Sequence, residues 1–467
     1  MFKRTISEYS ENYAIITDTG KKIKYAELDI FSSQLIADIG KRSLVFCLCD
    51  NNVESLSGYF SFIKNDVVPL LLDSAIDSEL LQSLIEQYHP EYIWSPADKI
   101  NQFHHSNVMF SFENYLLIRI EGNSSPYLND DLALLLTTSG STGSPKLVRI
   151  SYDNLETNAN SIAEYLSIDE NERPITSLPM SYTFGLSIIN SHLIKGATIL
   201  LTSKSLMEKE FWTFLKEEEA TSLSGVPYTF EMLKKLRFFN MNLEHLKTMT
   251  QAGGKMNDEL NHEFSSFCNK SGINFFIMYG QTEATARMSY LPAEYSLSKL
   301  GSMGVAIPGG KFYLIDDKSE IIVKNEVVGE LVYEGRNVSM GYAISGEDLI
   351  KGDENNGVLI TGDLAKRDAE GFYYIVGRKK RFIKLFGNRI NLDETERLIK
   401  SLTPNVACTG LDDKMVVYIT DEEVMDKVKS FVVEKTRINP KAFEVRFIDL
   451  IPKNSAGKTI YSELPEK

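Results

Sequence analysis

Along the first 375 positions, short continuous apolar runs alternate with longer stretches in which apolar residues recur every three or four positions. The runs at 43–49 (SLVFCLC), 132–136 (LALLL), 197–201 (ATILL) and 275–279 (FFIMY) predict strands. The stretches 25–39, 154–166 and 229–236 carry the helical period. Strand alternating with helix predicts parallel sheets with helices packed on their faces. From about 310 to 376 the texture changes: KFYLIDD, EIIVKN, GELVYEG and GFYYIVGR are short strand patterns between turns. They predict a small, β-rich, barrel-like subdomain.

After Gly377 come a basic stretch, GRKKRFIKLFGNR, and a helix opening at Asn391 or Asp393 with acids in its first turn. Strands at 405–411 and 415–420, a helix at 424–436 and a last strand at 443–450 complete an α+β unit. The expected class is α/β, with a large N-terminal domain (1–379) of parallel α/β sheets containing the β-rich part, and a small α+β C-terminal domain (380–467). No repeat, low-complexity tract or Pro/Ser-rich linker separates them, which predicts a tight hinge.

Composition narrows the uses of such a fold. With 467 residues, 43% of them hydrophobic, the chain can bury a large core, divided into about two to four domains or subdomains. Fifty Lys and Arg against 64 Asp and Glu give a formal charge of −14, which argues against general nucleic-acid binding. Cys47, Cys49, Cys268 and Cys408 are too few and too scattered for a disulfide framework. The first residues carry charge without a following apolar core, so no signal peptide is expected. No apolar run approaches the roughly 20 residues that cross a bilayer. A cytoplasmic protein without a membrane span is the expectation.

The sharpest chemical signal is TTSGSTGSPK, 137–146, directly after the strand at 132–136. Glycine and small hydroxyl residues let the backbone approach an anion and present consecutive N–H donors to phosphate oxygens, and Lys146 adds a mobile charge. The same residues also make an ordinary surface turn, and composition leaves both open. It is not a Walker A loop, because Ser144 and Pro145 separate Gly143 from Lys146. NSAGKT (454–459) is a decoy: its first glycine would fall on Pro452, and too little chain follows Lys458 for a helix and sheet.

YGQTE, 279–283, stands at the end of a predicted strand, where parallel sheets place ligands. An aromatic ring, a hydroxyl and a carboxylate there would suit a nucleotide and magnesium, and equally a polar turn. TGDL, 361–364, precedes GFYYIVGR. Its Asp can accept two hydrogen bonds from a ribose diol, and Arg378 can reach an oxygen of the same group; a β-turn explains it as well. His104 and His105 lie in a polar stretch without Cys or paired carboxylates at ligand spacing, so no zinc site is expected. His192 reads as a structural histidine.

Order and spacing decide among these readings. TTSGSTGSPK, YGQTE, TGDL with Gly377 and Arg378, and PKNSAGK near the C-terminus together resemble the adenylate-forming (AMP-binding) superfamily of acyl-CoA synthetases, firefly luciferase and peptide-synthetase adenylation domains. KYAELD (24–29) is similar to that family's early TYxEL segment, so the likeness spans nearly the whole chain. It implies a reaction in which ATP and a small carboxylic acid give an acyl-adenylate and pyrophosphate. The acyl group then passes to a thiol, of CoA or of a carrier protein's phosphopantetheine. A nucleotide-binding protein without turnover is the minor alternative.

By that resemblance Thr138, Ser139, Gly140, Ser141, Thr142, Gly143 and Lys146 hold the β and γ phosphates. Glu283 holds Mg2+ and Thr282 contacts the α-phosphate. Tyr279, Gly280 and Gln281, with Gly253, Gly254 and Lys255, flank the adenine, and Asp363 and Arg378 hold the ribose. Lys458 matches the lysine that bridges carboxylate and α-phosphate oxygens. Lys380 matches the family's hinge, about which the mobile C-terminal domain would withdraw Lys458 and bring in Lys384 for thioester formation. The surrounding basic residues, Lys379 and Arg381 among them, read either as a solvated hinge surface or as a dock for CoA or an acidic carrier protein.

Two departures bear on the substrate. Leu147 replaces a common glycine after Lys146. In PMSYTFG, 179–185, Tyr182 takes the gate position, and Thr183 stands where domains that adenylate α-amino acids place an Asp. Without that carboxylate a buried ammonium would be left unpaired, so the acid is expected to lack a free α-amino group. Tyr182, Phe184, Val226 and Met278 are the expected acid pocket, each reading equally as plain core.

Overall fold

The apolar runs become the middle strands of two large sheets, both in a unit formed by Met1–Lys311 with Glu334–Leu359. The computed structural model describes residues 1–39, 42–103, 106–137, 146–385, 388–411, 414–436, 439–453 and 458–465. In an eight-stranded sheet, Leu44–Cys49 lies between Val68–Asp73 and Tyr92–Pro96, and Val68–Asp73 meets Leu132–Thr137, all parallel. Every residue of Leu44–Cys49 is buried, which is why that run shows no polar alternation. A nine-stranded sheet aligns Tyr13–Thr17, Ile199–Leu201, Pro174–Ile175, Ser222–Gly225, Thr248–Gln251 and Asn274–Tyr279 in parallel.

The margins of both sheets are antiparallel, so the expected parallel pattern holds only at their centres. Leu147–Ser151 pairs antiparallel with Leu132–Thr137, and Gly341–Ala343 continues that edge. Ser289–Leu291 does the same beside Asn274–Tyr279. Chain length is the reason: nine residues separate Leu132–Thr137 from Leu147–Ser151, whereas a parallel return needs a crossover of a dozen or more. The helix Tyr152–Tyr165 opens on a reciprocal cap, Asn154 N–H to Ser151 Oγ at 3.0 Å and Ser151 N–H to Asn154 Oδ1 at 2.9 Å. Thr183–Leu193, also helical, is buried along its whole length.

The second unit comprises Phe312–Tyr333 and Ile360–Lys467. Lys311–Ile315, Gly329–Glu334, Val358–Arg367 and Tyr373–Arg378 form its four-stranded sheet. Val406–Leu411, Lys414–Ile419 and Phe443–Phe447 form another, with the helices Leu392–Ile399 and Met425–Thr436 contributing to a core around Ile399, Cys408, Val417 and Val432. EIIVKN, expected as a strand, makes only an isolated bridge from Ile321 to Ile315. Arg367 holds that segment through the Val323 carbonyl (3.1 Å) and Asn325 Oδ1 (3.0 Å), leaving Ile321 and Val323 exposed. The architecture is α/β, with mixed sheets in the larger unit.

Candidate active site

The strand Leu132–Thr137 leads into the predicted phosphate loop, whose Thr138, Ser139, Gly140, Ser141, Thr142 and Gly143 lie outside the described residues. At the loop's far end, Lys146 Nζ sits 3.6 Å from the centroid of the Tyr342 ring, a favourable cation–π geometry. Tyr342 is aimed by the sheet edge: Gly341–Ala343 pairs with Leu147–Ser151, placing Tyr342 opposite Val148. Its hydroxyl donates to Glu283 Oε1 at 2.7 Å. Burial, reinforced by the nearby Glu283 carboxylate, pushes the Tyr342 hydroxyl well above its ordinary value, so it stays protonated and donating.

Glu283 belongs to YGQTE, where Asn274–Tyr279 ends and Thr282–Ala284 makes one 3-10 turn. Gly280 is required by close approach, since a Cβ there would meet the Ala286 carbonyl oxygen at 1.7 Å. Ser339 N–H to the Glu283 carbonyl (2.9 Å), Thr285 Oγ1 to the Asn337 carbonyl (2.7 Å) and Asn337 Nδ2 to the Ala284 carbonyl (2.9 Å) fix the turn. Thr282 Oγ1 lies 2.9 Å from Thr183 Oγ1, and Gln281 Nε2 donates to Tyr279 Oη at 3.1 Å. Glu283 is half-buried, and among the described residues its Oε2 has no protein partner. One accessible carboxylate oxygen suits Mg2+, which takes one or two carboxylates and fills the remaining positions with phosphate oxygens and water.

The four residues expected in the acid pocket come together. Phe184, Val226 and Met278 share an apolar cluster with Leu178, Ile188, Ala252 and Phe276, and Tyr182 packs against it. Gly253 has φ +83°, and a Cβ there would lie 2.7 Å from Tyr182 Oη, so glycine lets the tyrosine close over the chain. Gly254 and Lys255 are exposed beside it. Burial pushes Tyr182 up to about 12 and His192 down to about 4. His192 Nδ1 contacts the Ile188 carbonyl at 2.8 Å.

Sequence reasoning missed Arg287. Its guanidinium lies 4.6 Å from the Phe184 ring centroid, with Nη1 3.1 Å from Tyr165 Oη and 2.7 Å from Met278 Sδ. The available signal was a lone cation in ATARMS, a run otherwise uncharged.

On the second unit, Asp363 and Arg378 face each other across adjacent strands, with Nε 3.5 Å from Oδ1. TGDL is therefore part of the strand Val358–Arg367; Thr361 Oγ1 accepts from Asp363 N–H (3.1 Å) and donates to the Leu331 carbonyl (2.8 Å). Lys379 pairs with Glu330 at 2.7 Å, while Arg381 is no solvated surface charge. Arg381 bonds Asp393 (2.7 Å), Glu396 and the Cys408 carbonyl (2.8 Å), and stacks on Tyr461 at 3.9 Å. Lys380 sits in the turn Lys379–Arg381 and Lys384 in the strand Phe382–Leu385, with both side chains outside the described residues. Lys458 is half-buried, next to Thr459, which bridges to Lys453. His104 and His105 lie outside the described residues.

The model of the AMP-binding enzyme family matches residues 2–343. A 2-succinylbenzoate–CoA ligase of Bacillus licheniformis is 29% identical over 348 residues, 72% of this chain and 70% of the relative. A Bacillus cereus ligase of the same name is 30% identical over 345 residues, 71% of this chain and 69% of its own. Among solved structures, the o-succinylbenzoate CoA synthetase of Bacillus subtilis, in complex with its acyl-adenylate intermediate, gives a TM-score of 0.81 at 22% identity, covering 99% of this chain and 97% of that one. The chain belongs to the AMP-binding enzyme family. Its activity is that of an AMP-forming acid–thiol ligase of the acyl-CoA synthetase kind: carboxylate adenylation followed by acyl transfer to a thiol. Among the described residues no helix is long and apolar enough to cross a membrane.

Proposed function

We propose that the chain activates a small carboxylic acid without an α-ammonium group, using ATP and Mg2+, and passes the acyl group to CoA in the cytoplasm. The observation that carries this is the Lys146–Tyr342–Glu283 chain, which sets a cation and a half-open carboxylate at the two ends of one tyrosine. In this reading Lys146 and the 138–143 loop take the β and γ phosphates. Thr282 contacts the α-phosphate, and Glu283 holds Mg2+ through the oxygen that Tyr342 leaves open. The ion would neutralise phosphate charge as the pyrophosphate departs.

Tyr279, Gly280, Gln281, Gly253, Gly254 and Lys255 flank the adenine, and Asp363 with Arg378 takes the ribose diol. The acid's carboxylate attacks the α-phosphorus; two anions must meet, and the Lys458 ammonium offsets that repulsion as charge develops on the transferred oxygens. Residues 1–379 and 380–467 act as two domains turning at Lys380, after which Lys384 serves thioester formation. Thr183 hydrogen-bonds Thr282 and offers no charge to an ammonium, which supports an acid that lacks one.

The test is ATP–pyrophosphate exchange with a panel of acids, beginning with 2-succinylbenzoate, the acid in the relatives' names, followed by product analysis with CoA and with a pantetheinylated carrier protein. Exchange that is lost in Lys458→Ala, with acyl-CoA formed, is expected. Exchange unchanged in that variant would remove the catalytic assignment, and transfer only to the carrier would replace CoA as acceptor.

A further inference from the structure

Among the described residues Arg149 and Arg287 are buried and Arg381 is largely so, and two of these three have their charge matched. Arg149, 0% exposed, bonds the carbonyls of Met340, Tyr342, Lys351 and Gly352 and the carboxylate of Glu354. Arg381 pairs with Asp393 and Glu396 and bonds the Cys408 carbonyl. Arg287, 2% exposed, is different: its side-chain contacts are Tyr165 Oη, Met278 Sδ and the Phe184 ring. Among the described residues no carboxylate lies within ion-pair distance of it, and its Nε is buried without a hydrogen-bond partner.

An arginine cannot shed its proton to escape such a site. A buried charge without a counter-charge is costly, so the missing anion is expected from outside the chain. The surroundings fit that. Asn158 Nδ2 (2.9 Å) and Asn337 Nδ2 (3.0 Å) both donate to the Arg287 carbonyl, fixing the backbone there. The guanidinium lies against Phe184 and Met278, two of the residues expected to line the acid pocket. The titratable groups around it do not neutralise it. His192 is uncharged near neutral pH, Tyr165 and Tyr182 are pushed up by burial, and Glu172, which lines the same small cavity as Arg287 and His192, accepts from Thr221 Oγ1 and forms no ion pair with the guanidinium.

We propose that Arg287 is a specificity residue that pairs with a second anionic group on the acid, so that the substrate class is a dicarboxylate, one carboxylate adenylated and the other held by the guanidinium. This rests on the acid-activating reading above and narrows it. It also sets a cation where an α-ammonium would be repelled, in keeping with Thr183 at the gate.

Matched acids that differ by one carboxylate provide the test: 2-succinylbenzoate against 4-oxo-4-phenylbutanoate, and adipate against hexanoate. In ATP–pyrophosphate exchange by the wild-type enzyme, the dicarboxylate of at least one pair should exceed its partner in kcat/KM by about 100-fold or more, as expected when a buried polar group is left unpaired by the wrong substrate. Arg287→Met should cut the dicarboxylate value by that factor while leaving the monocarboxylate within about threefold. Arg287→Lys, which keeps the charge but not the fork, should fall between them. Without ligand, Arg287→Met should melt no lower than the wild type, because an unpaired buried charge has been removed, and the preferred dicarboxylate should raise the wild-type melting temperature and not the variant's. A merely structural arginine would lower the melting temperature of Arg287→Met and reduce both acids alike, and that result overturns the proposal. Equal use of both members of each pair overturns it alone; no exchange with any acid overturns it together with the activity assignment.

Discussion

Arg149→Met tests whether the strand carrying Tyr342 is fastened by one buried guanidinium. Arg149 clips residues 340–354 to the strand Leu147–Ser151 through four carbonyls and Glu354. Burial pulls its pKa below the ordinary arginine value, and Glu354 partly offsets this. After substitution the four carbonyls do not suffer alike. Met340's still accepts from Glu354 N–H at 3.0 Å, and Lys351 and Gly352 are exposed, so water can replace the arginine there. The half-exposed Glu354 loses little.

The Tyr342 carbonyl loses its 3.1 Å bond from Arg149 Nε, and the local packing loosens. A total of about 3 kcal/mol follows, at the lower end for breaking a buried charged contact. In a unit of this size that corresponds to a fall of about 4 °C in melting temperature. Because the strand aims Tyr342 at both Lys146 and Glu283, the KM for MgATP should rise about tenfold, while the KM for the acid changes less than twofold. Urea unfolding and ATP–pyrophosphate exchange measure both quantities. A stability loss below about 1 kcal/mol, or an unchanged MgATP KM in a destabilised variant, would refute the coupling of strand and site.

Two further perturbations probe the same unit. His192, ordinarily near 6.5, is held at about 4 by burial. The unfolded chain therefore takes up a proton that the folded one refuses: stability is complete above about pH 6.5 and declines by up to about 1.4 kcal/mol per pH unit toward pH 4. His192→Gln should flatten that limb of a urea-midpoint-against-pH profile, and an identical acid slope in both proteins would contradict it. Gly280→Ala should abolish MgATP binding and lower stability by more than about 3 kcal/mol, because a Cβ 1.7 Å from the Ala286 carbonyl oxygen forces the Thr282–Glu283 turn to move. Gly352→Ala, whose Cβ would meet nothing within 4 Å, is the control, and calorimetry of both with MgATP distinguishes them.

The parts of this molecule proposed to serve ATP are legible in sequence because their demands are local. A backbone that must pass 1.7 Å from where a Cβ would stand needs glycine wherever the fold occurs, and that requirement leaves a mark in YGQTE that survives without any knowledge of neighbours. The centres of the sheets were legible for a related reason, since a strand covered on both faces, such as Leu44–Cys49, has nowhere to put a polar residue. EIIVKN misled because alternation promises a strand only where a partner edge lies alongside, and Arg367 takes the Val323 carbonyl instead. Arg381 misled for the converse reason: in GRKKR it looks like the more exposed Arg378 and Lys379, whereas the helix Leu392–Ile399 supplies the carboxylates that pair with it.

The side chains proposed to recognise the acid are of that second kind. Tyr182 and Phe184 open one helix, Val226 precedes another, Met278 ends a strand, and Arg287 follows the turn after it. These segments are remote in sequence and meet through the nine-stranded sheet. On the proposed reading, substrate choice lies in tertiary contacts such as that between Arg287 and Phe184, where no spacing rule reaches.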